Sequence, residues 1–182
     1  NQFLFCGNTG MVYITNSNRL QTYDLTKLFS HIQIKAAAQD YQGNIWFATT
    51  LGLIKMYKSE VQKSAFLNDE AHVVASIAND KNGVVYFGTI DGLVVSDNGK
   101  IANYRISDNP DDNFISSLTY KNEEVLVGTF SGKLFKFSKG KFRLIFNSKK
   151  YPTCIYRVVF ESKNNQWIAS FSDVIHIRNG KE

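Results

Sequence analysis

Apolar residues along the chain fall in short runs broken by polar turns, and the runs recur with a fixed period. Asp40 to Tyr57 reads as a tight turn, an apolar strand over Ile45–Thr49, a second tight turn at Gly52 and another strand over Leu53–Tyr57. Asp80 to Val95 has the same pattern, Glu124 to Phe137 carries its core, and weaker copies lie at Phe3–Ile14 and Trp167–Ile177. Aligned on the turn, the anchors are Gly10, Gly52, Gly92, Gly132 and Asp173, spaced by 42, 40, 40 and 41 residues. A period of about 40 residues with four short strands per unit is the mark of a β-propeller blade. The pattern therefore predicts an all-β chain, one β-propeller segment over residues 1–182 made of four-stranded antiparallel meanders, about four to five repeat units.

Within a unit the strands are termed inner, second, third and outer. Expected inner strands are Ile32–Gln39, Val73–Asn79, Ile115–Thr119 and Ile155–Phe160, and expected outer strands are Leu20–Tyr23, Ser64–Leu67, Ile101–Ile106 and Phe142–Phe146. Between third and outer strands stand Asn98-Gly99, Lys139-Gly140 and Asn179-Gly180, which suit two-residue hairpins because both positions need positive φ. Between inner and second strands, Asp40 with Gly43 and Asp80 with Gly83 form a recurring turn in which the carboxylate can accept backbone N–H groups. The second strands share a column of small residues, Ala48, Gly88, Gly128 and Ala169, with Cys6 at the first copy. A small residue between bulky ones lets a facing sheet approach closely. The longest and most varied connections join outer to inner strands, at Leu25–His31, Asn68–His72, Ser107–Phe114 and Asn147–Cys154, all on one face of the meander. Variable loops on a regular scaffold are where recognition usually resides.

The run Asp-x-x-Gly-Asn-Ile-Trp-Phe-Ala-Thr-x-x-Gly-Leu at Asp40–Leu53, and the copy ending Tyr86-Phe-Gly-Thr-Ile-Asp-Gly-Leu93, closely resemble the two-component regulator propeller repeat. The resemblance spans nearly the whole chain and departs from the pattern at Cys6–Thr9, at Lys133 and at Asp173. It implies the ectodomain of a Bacteroidetes-type hybrid two-component sensor histidine kinase: a periplasmic propeller of an inner-membrane protein, sensing a ligand for a kinase not present in this chain. Rings of that family have more blades than this chain has units. An open arc leaves sheet edges exposed, so the chain is expected to be an arc of a larger propeller whose partners are the remaining blades or another copy of the chain.

Composition narrows the alternatives. A hydrophobic content of 43% excludes a disordered chain, and no apolar run is long enough to span a bilayer, so no membrane contact is expected of this segment. The net charge of +5 is spread over lysines interleaved with acids, which argues against nucleic acid as a partner. Cys6 and Cys154 are out of phase and imply no disulfide.

Candidate chemistry is sparse. His31, His72 and His176 lie far apart without carboxylate or cysteine partners at metal spacing, so no metal and no cofactor is expected. The Asp108, Asp111 and Asp112 cluster lacks the ordered ligands of a calcium loop and reads as a solvated acidic loop. No nucleophile elbow or phosphate loop occurs, so the segment is not expected to be an enzyme. Three functions follow in order: a sensor for an oligosaccharide or other small ligand, a protein-interaction scaffold, and a propeller lyase. The candidate site rests on a break in the repeat. At one phase of the inner strands stand Ala36, Ser76 and Ser117, and then Arg157. With Tyr151 and Tyr156 beside it, and His72 and Asn113 at the starts of neighbouring inner strands, Arg157 is expected to line a glycan site at one end of the axis.

Overall fold

The computed structural model describes residues 3–6, 9–16, 19–40, 42–57, 60–63, 73–121, 123–147, 153–162 and 165–178. It contains five antiparallel sheets that follow one another along the chain. The first has three strands, β1 (Phe3–Cys6), β2 (Met11–Asn16) and β3 (Arg19–Asp24). The second has β4 (Ile34–Gln39), β5 (Ile45–Thr49), β6 (Gly52–Tyr57) and β7 (Glu60–Lys63). The third has β8 (Val74–Asn79), β9 (Val85–Thr89), β10 (Gly92–Asp97) and β11 (Lys100–Tyr104). The fourth has β12 (Ile115–Lys121), β13 (Glu124–Thr129), β14 (Lys133–Ser138) and β15 (Lys141–Asn147). The fifth has β16 (Ile155–Ser162), β17 (Asn165–Ser170) and β18 (Val174–Arg178). Every sheet is a meander in sequence order, and β4 packs on β8, β8 on β12 and β12 on β16. These are β-propeller blades, and the first and last sheets share no comparable interface among the described residues.

The core is distributed in layers between successive sheets. Val12 and Ile14 of the first sheet meet Ile34, Ile45, Phe47, Ile54 and Met56 of the second. Ala48 and Leu53 on the opposite side of the second sheet meet Val74, Ile77, Val85, Phe87 and Val94 of the third. The third and fourth sheets share Leu93, Ile115, Val125, Val127, Phe135 and Phe137, and the fourth and fifth share Leu126, Leu134, Ile155, Val158, Ile168 and Ile175. An inner blade thus has no polar face. That is why second strands such as Val125–Thr129 read as unbroken apolar runs rather than alternating ones.

Turn chemistry follows the residue types. Asn98 and Gly99 have φ of 48° and 80°, and Lys139 and Gly140 have 50° and 74°, the left-handed pair that a two-residue hairpin demands. Asp40 accepts the backbone N–H groups of Gln42 and Asn44 at 3.0 and 2.9 Å, and Asp80 accepts those of Asn82 and Val84 at 2.8 and 2.9 Å.

Three details lie beyond the periodic pattern. In the second sheet Glu60–Lys63 forms a strand on β6, with Tyr57 paired to Glu60; the expected outer strand Ser64–Leu67 lies outside the described residues. Two connections contain single helical turns, a 3-10 turn over Leu25–Lys27 and α1 (Pro110–Asn113). Each is nucleated by the residue before it, with Asp24 Oδ1 accepting the Thr26 N–H and Asn109 Oδ1 accepting the Asp111 N–H. Finally, His176 on β18 is tied to its neighbours. It is half-buried, its ring stacks on Trp167 with centroids 4.0 Å apart, and its Nε2 pairs with Asn165.

The small column is an inter-sheet contact. A Cβ on Gly88 would lie 2.2 Å from Ser76 Oγ and 2.8 Å from the Ile115 carbonyl oxygen of the next sheet; one on Gly128 would lie 2.5 Å from Ser117 Oγ and 2.7 Å from Ile155 Cγ2. Backbone cannot withdraw cheaply, so Gly88→Ala is expected to lower stability by about 1–3 kcal/mol through overpacking. Exposed Lys141→Ala should change the denaturation midpoint little. Urea unfolding of both variants checks the difference.

Candidate functional site

The inner strands β4, β8, β12 and β16 are edge strands of their sheets, and their free sides gather around one cleft of about 680 Å³. Its walls are Lys35–Ala38, Ala75–Asn79, Ser116–Tyr120, Tyr156 and Arg157. Ladder register places Ala36 opposite Ala48, Ser76 opposite Gly88, Ser117 opposite Gly128 and Arg157 opposite Ala169. The four residues therefore share one structural phase. One residue earlier every inner strand shifts register, at Lys35, Ala75, Ser116 and Tyr156. Such a bulge bends the strand and re-aims a side chain, and here it recurs around the cleft.

Most hydroxyls at this axis are already committed. Ser76 Oγ donates to the Ile115 carbonyl at 3.2 Å, Ser116 Oγ to the Ile155 carbonyl at 2.7 Å, and Thr119 Oγ1 to the Val158 carbonyl at 3.0 Å. Each bond crosses from one sheet to the next. Ser117 differs: it is 5% exposed and its hydroxyl has no hydrogen-bond partner among the described residues. Lys35 Nζ donates to Gln33 Oε1 at 2.9 Å, and Arg157 is exposed with no hydrogen-bond or ion-pair partner among the described residues.

The five expected site residues separate. Arg157 and Tyr156 both line the cleft. Tyr151 and His72 lie outside the described residues. Asn113 does not line it: it is fully buried inside the connection from β11 to β12, where its side chain accepts the Ile106 N–H at 2.7 Å and donates to the Ser107 and Asn109 carbonyls. It is the amide that holds that loop together. The residue after each conserved-phase threonine was missed. Ile90, Phe130 and Phe171 are exposed at that position, and their N–H groups bond the carbonyls of Val73, Phe114 and Cys154 just ahead of the inner strands. Phe130 stacks on Phe114 at 5.1 Å and Phe171 tilts against Tyr156 at 6.2 Å. Phe171 thus adds a second ring beside Tyr156 of the cleft wall, and the phase of Thr49, Thr89, Thr129 and Ser170 is the sequence signal that marks its position.

Two kinds of carboxylate turn out to be structural, the first at the repeat turns. Asp40 accepts Asn44 Nδ2 at 2.7 Å and Trp46 Nε1 at 2.9 Å, and Glu161 accepts Asn165 Nδ2 and Trp167 Nε1 in the same arrangement. Asp112 is the second. Instead of a solvated member of an acidic loop it is buried, accepting Lys133 Nζ at 2.8 Å, Ser131 Oγ at 2.6 Å and Ser107 Oγ at 3.1 Å. Among the described residues no group of three or more His, Cys, Asp or Glu is placed to hold a metal. Cys154 is free and buried, and burial pushes its thiol up against a smaller opposing effect of Ser116.

The sequence matches no known family profile and no curated protein. Solved structures do match in fold. A streptogramin B lyase overlays with a TM-score of 0.80 at 11% identity, covering 100% of this chain and 63% of the lyase. The virginiamycin B lyase from Staphylococcus aureus gives 0.74 at 13%, covering 95% and 66%. The extracellular domain of a hybrid two-component system from B. thetaiotaomicron gives 0.71 at 20%, covering 97% of this chain and 25% of that one. This chain thus spans less than two thirds of each, and the likeness defines a β-propeller. No helix among the described residues is long and apolar enough to cross a membrane.

The Asp112 network carries a pH prediction. Burial raises the Asp112 pKa, but the bonds from Lys133, Ser131 and Ser107 outweigh it and hold the carboxyl below its ordinary 3.8. A depressed folded pKa stabilises fully above the unfolded value and is lost as pH falls through the folded one. Asp112→Asn should therefore cost about 1.5–3 kcal/mol at neutral pH, and the gap to the unaltered protein should shrink as pH drops below 3.8. Thermal unfolding against pH measures it.

Proposed function

We propose that this chain is the ligand-sensing propeller of an extracytoplasmic receptor of the hybrid two-component type, and that it recognises an oligosaccharide in the axial cleft. The observation that carries the reading is the cleft itself. Four inner-strand edges surround it, Arg157, without a partner among the described residues, and an exposed Tyr156 stand in its wall, and exposed Phe171 tilts against Tyr156. Aromatic faces stack on sugar C–H surfaces while a guanidinium bonds hydroxyls or carboxylates, the mixture expected of a polar pocket. The repeat and the overlay on a two-component extracellular domain support the same assignment, and with it a periplasmic location. The kinase lies outside this chain. The last sheet presents Trp167, Phe171 and Val174 at 40%, 75% and 70% exposure, and its partner is a further blade or a second copy of the chain.

The fold neighbours that are lyases supply the competing reading, in which the cleft breaks down its ligand. Calorimetric titration of an oligosaccharide library, with product analysis after incubation, separates the two. A saccharide should bind without being cleaved, and Arg157→Ala and Tyr156→Ala should each weaken it by about tenfold. Ligand turnover abolished by the same substitutions would establish the lyase reading instead.

A further inference from the structure

Resting on the saccharide reading of the axial cleft, we infer that its ligand is acidic: a sugar bearing a carboxylate or sulfate that is held between Lys35 and Arg157. The charge inventory of the cleft carries this. Of the residues that line it, the charged ones are Lys35 on the first of its four inner strands and Arg157 on the last, and no aspartate or glutamate stands among them. The chain has 16 acidic residues against 21 basic ones, so a cleft with two cations and no acid departs from a surface where charges interleave. Exposed cations such as Lys100, Lys141 and Arg143 are in no ion pair among the described residues, but four others find carboxylates: Lys81 with Glu123, Arg105 with Asp91, Lys133 with Asp112 and Lys136 with Glu124. Neither cleft cation does. Lys35 has only the neutral Gln33 amide, which leaves its charge uncompensated, and Arg157 has no partner among the described residues.

The backbone explains how both reach the cleft. Lys35 occupies the bulge position of β4, and Arg157 follows the bulge at Tyr156 in β16. At the same two phases of β8 and β12 stand Ala75 with Ser76 and Ser116 with Ser117, so the middle of the cleft stays open between the cations. In that middle wall Ser117 adds a buried hydroxyl without a partner among the described residues. Like charges lining a concave, poorly solvated wall focus potential on whatever enters. A guanidinium bonds a carboxylate or sulfate through paired N–H groups, and an ammonium serves as a point charge beside it. Tyr156, tilted against Phe171, offers the ring face for the sugar carbons next to the charged group.

Three matched probes test it on the purified protein: a galacturonate trisaccharide, a sulfated galacto-oligosaccharide and neutral galactotriose. Expected is binding of one or both acidic probes at least about tenfold tighter than the neutral one, with the preference shrinking as salt rises from about 0.05 M to about 0.5 M. Lys35→Gln and Arg157→Gln should each remove about tenfold for the acidic probe and leave galactotriose unchanged, with unaltered melting temperatures showing that both variants fold. The carboxylate and sulfate arms tell which anion the cations prefer. Equal affinity for neutral and acidic probes, or acidic binding indifferent to both variants and to salt, overturns the charge assignment. If that binding still falls with Tyr156→Ala, the saccharide reading survives the failure. If neither the three probes nor any member of the oligosaccharide library binds, both fall together.

Discussion

Everything in this molecule depends on how closely one sheet can approach the next beside the axis. The inner strand of a blade lies against the second strand of the blade before it, and the contact is set at one residue per unit. Within a blade, where the inner strand carries a hydroxyl its ladder partner on the second strand is glycine, Ser76 with Gly88 and Ser117 with Gly128, and each glycine lies against an isoleucine of the next inner strand, Ile115 and Ile155. Where it carries only a methyl group, alanine fits, as with Ala36 and Ala48. The two columns therefore exchange volume, and the hydroxyl that gains the space can bond the neighbouring sheet's backbone, as Ser76 does.

That exchange also shapes the cleft. Edge strands normally leave unpaired N–H and C=O groups, and here serine and threonine hydroxyls stitch part of that edge to the following sheet. Side chains spent on the seam are short, so the axial space stays open. The bulge residues other than Ser116, whose hydroxyl is itself part of the seam, are under no such constraint, because they sit beside the ladder rather than in it. Lysine and tyrosine are accommodated there at Lys35 and Tyr156, while Ala75 and Ser116 keep the same phase small. A scaffold that fixes one position for packing and frees its neighbour can vary its binding surface without disturbing its blades.

The repeat made the blades legible, because a 40-residue period with turn signals constrains strand order and phase together. It also gave the correct equivalence of Ala36, Ser76, Ser117 and Arg157, which ladder register reproduces. The bulges left no trace in composition: a single inserted residue in a strand changes neither hydrophobicity nor turn chemistry, so Lys35 was passed over. Asn113 and Asp112 misled for a different reason. Polar residues in a variable loop look solvent-directed, yet this loop folds back on itself and uses the Asn113 amide as internal backbone mimicry and the Asp112 carboxylate as an ion-pair anchor. Loop length could not reveal that α1 would turn them inward.

Departures from the repeat thus have two meanings, and the structure separates them by partner. Lys133 breaks the pattern after Gly132, but its ammonium meets buried Asp112, itself a residue of the connection that precedes the same sheet. The two irregularities compensate each other and belong to folding. Arg157 breaks the pattern as plainly and has nothing to compensate it among the described residues. An exposed guanidinium costs little when hydrated, so its retention does not need a stabilising contact. A charged residue replacing small ones, facing an open cleft and left without an internal counter-charge, is under no folding demand that explains it. Its chemistry is available to something from outside the chain.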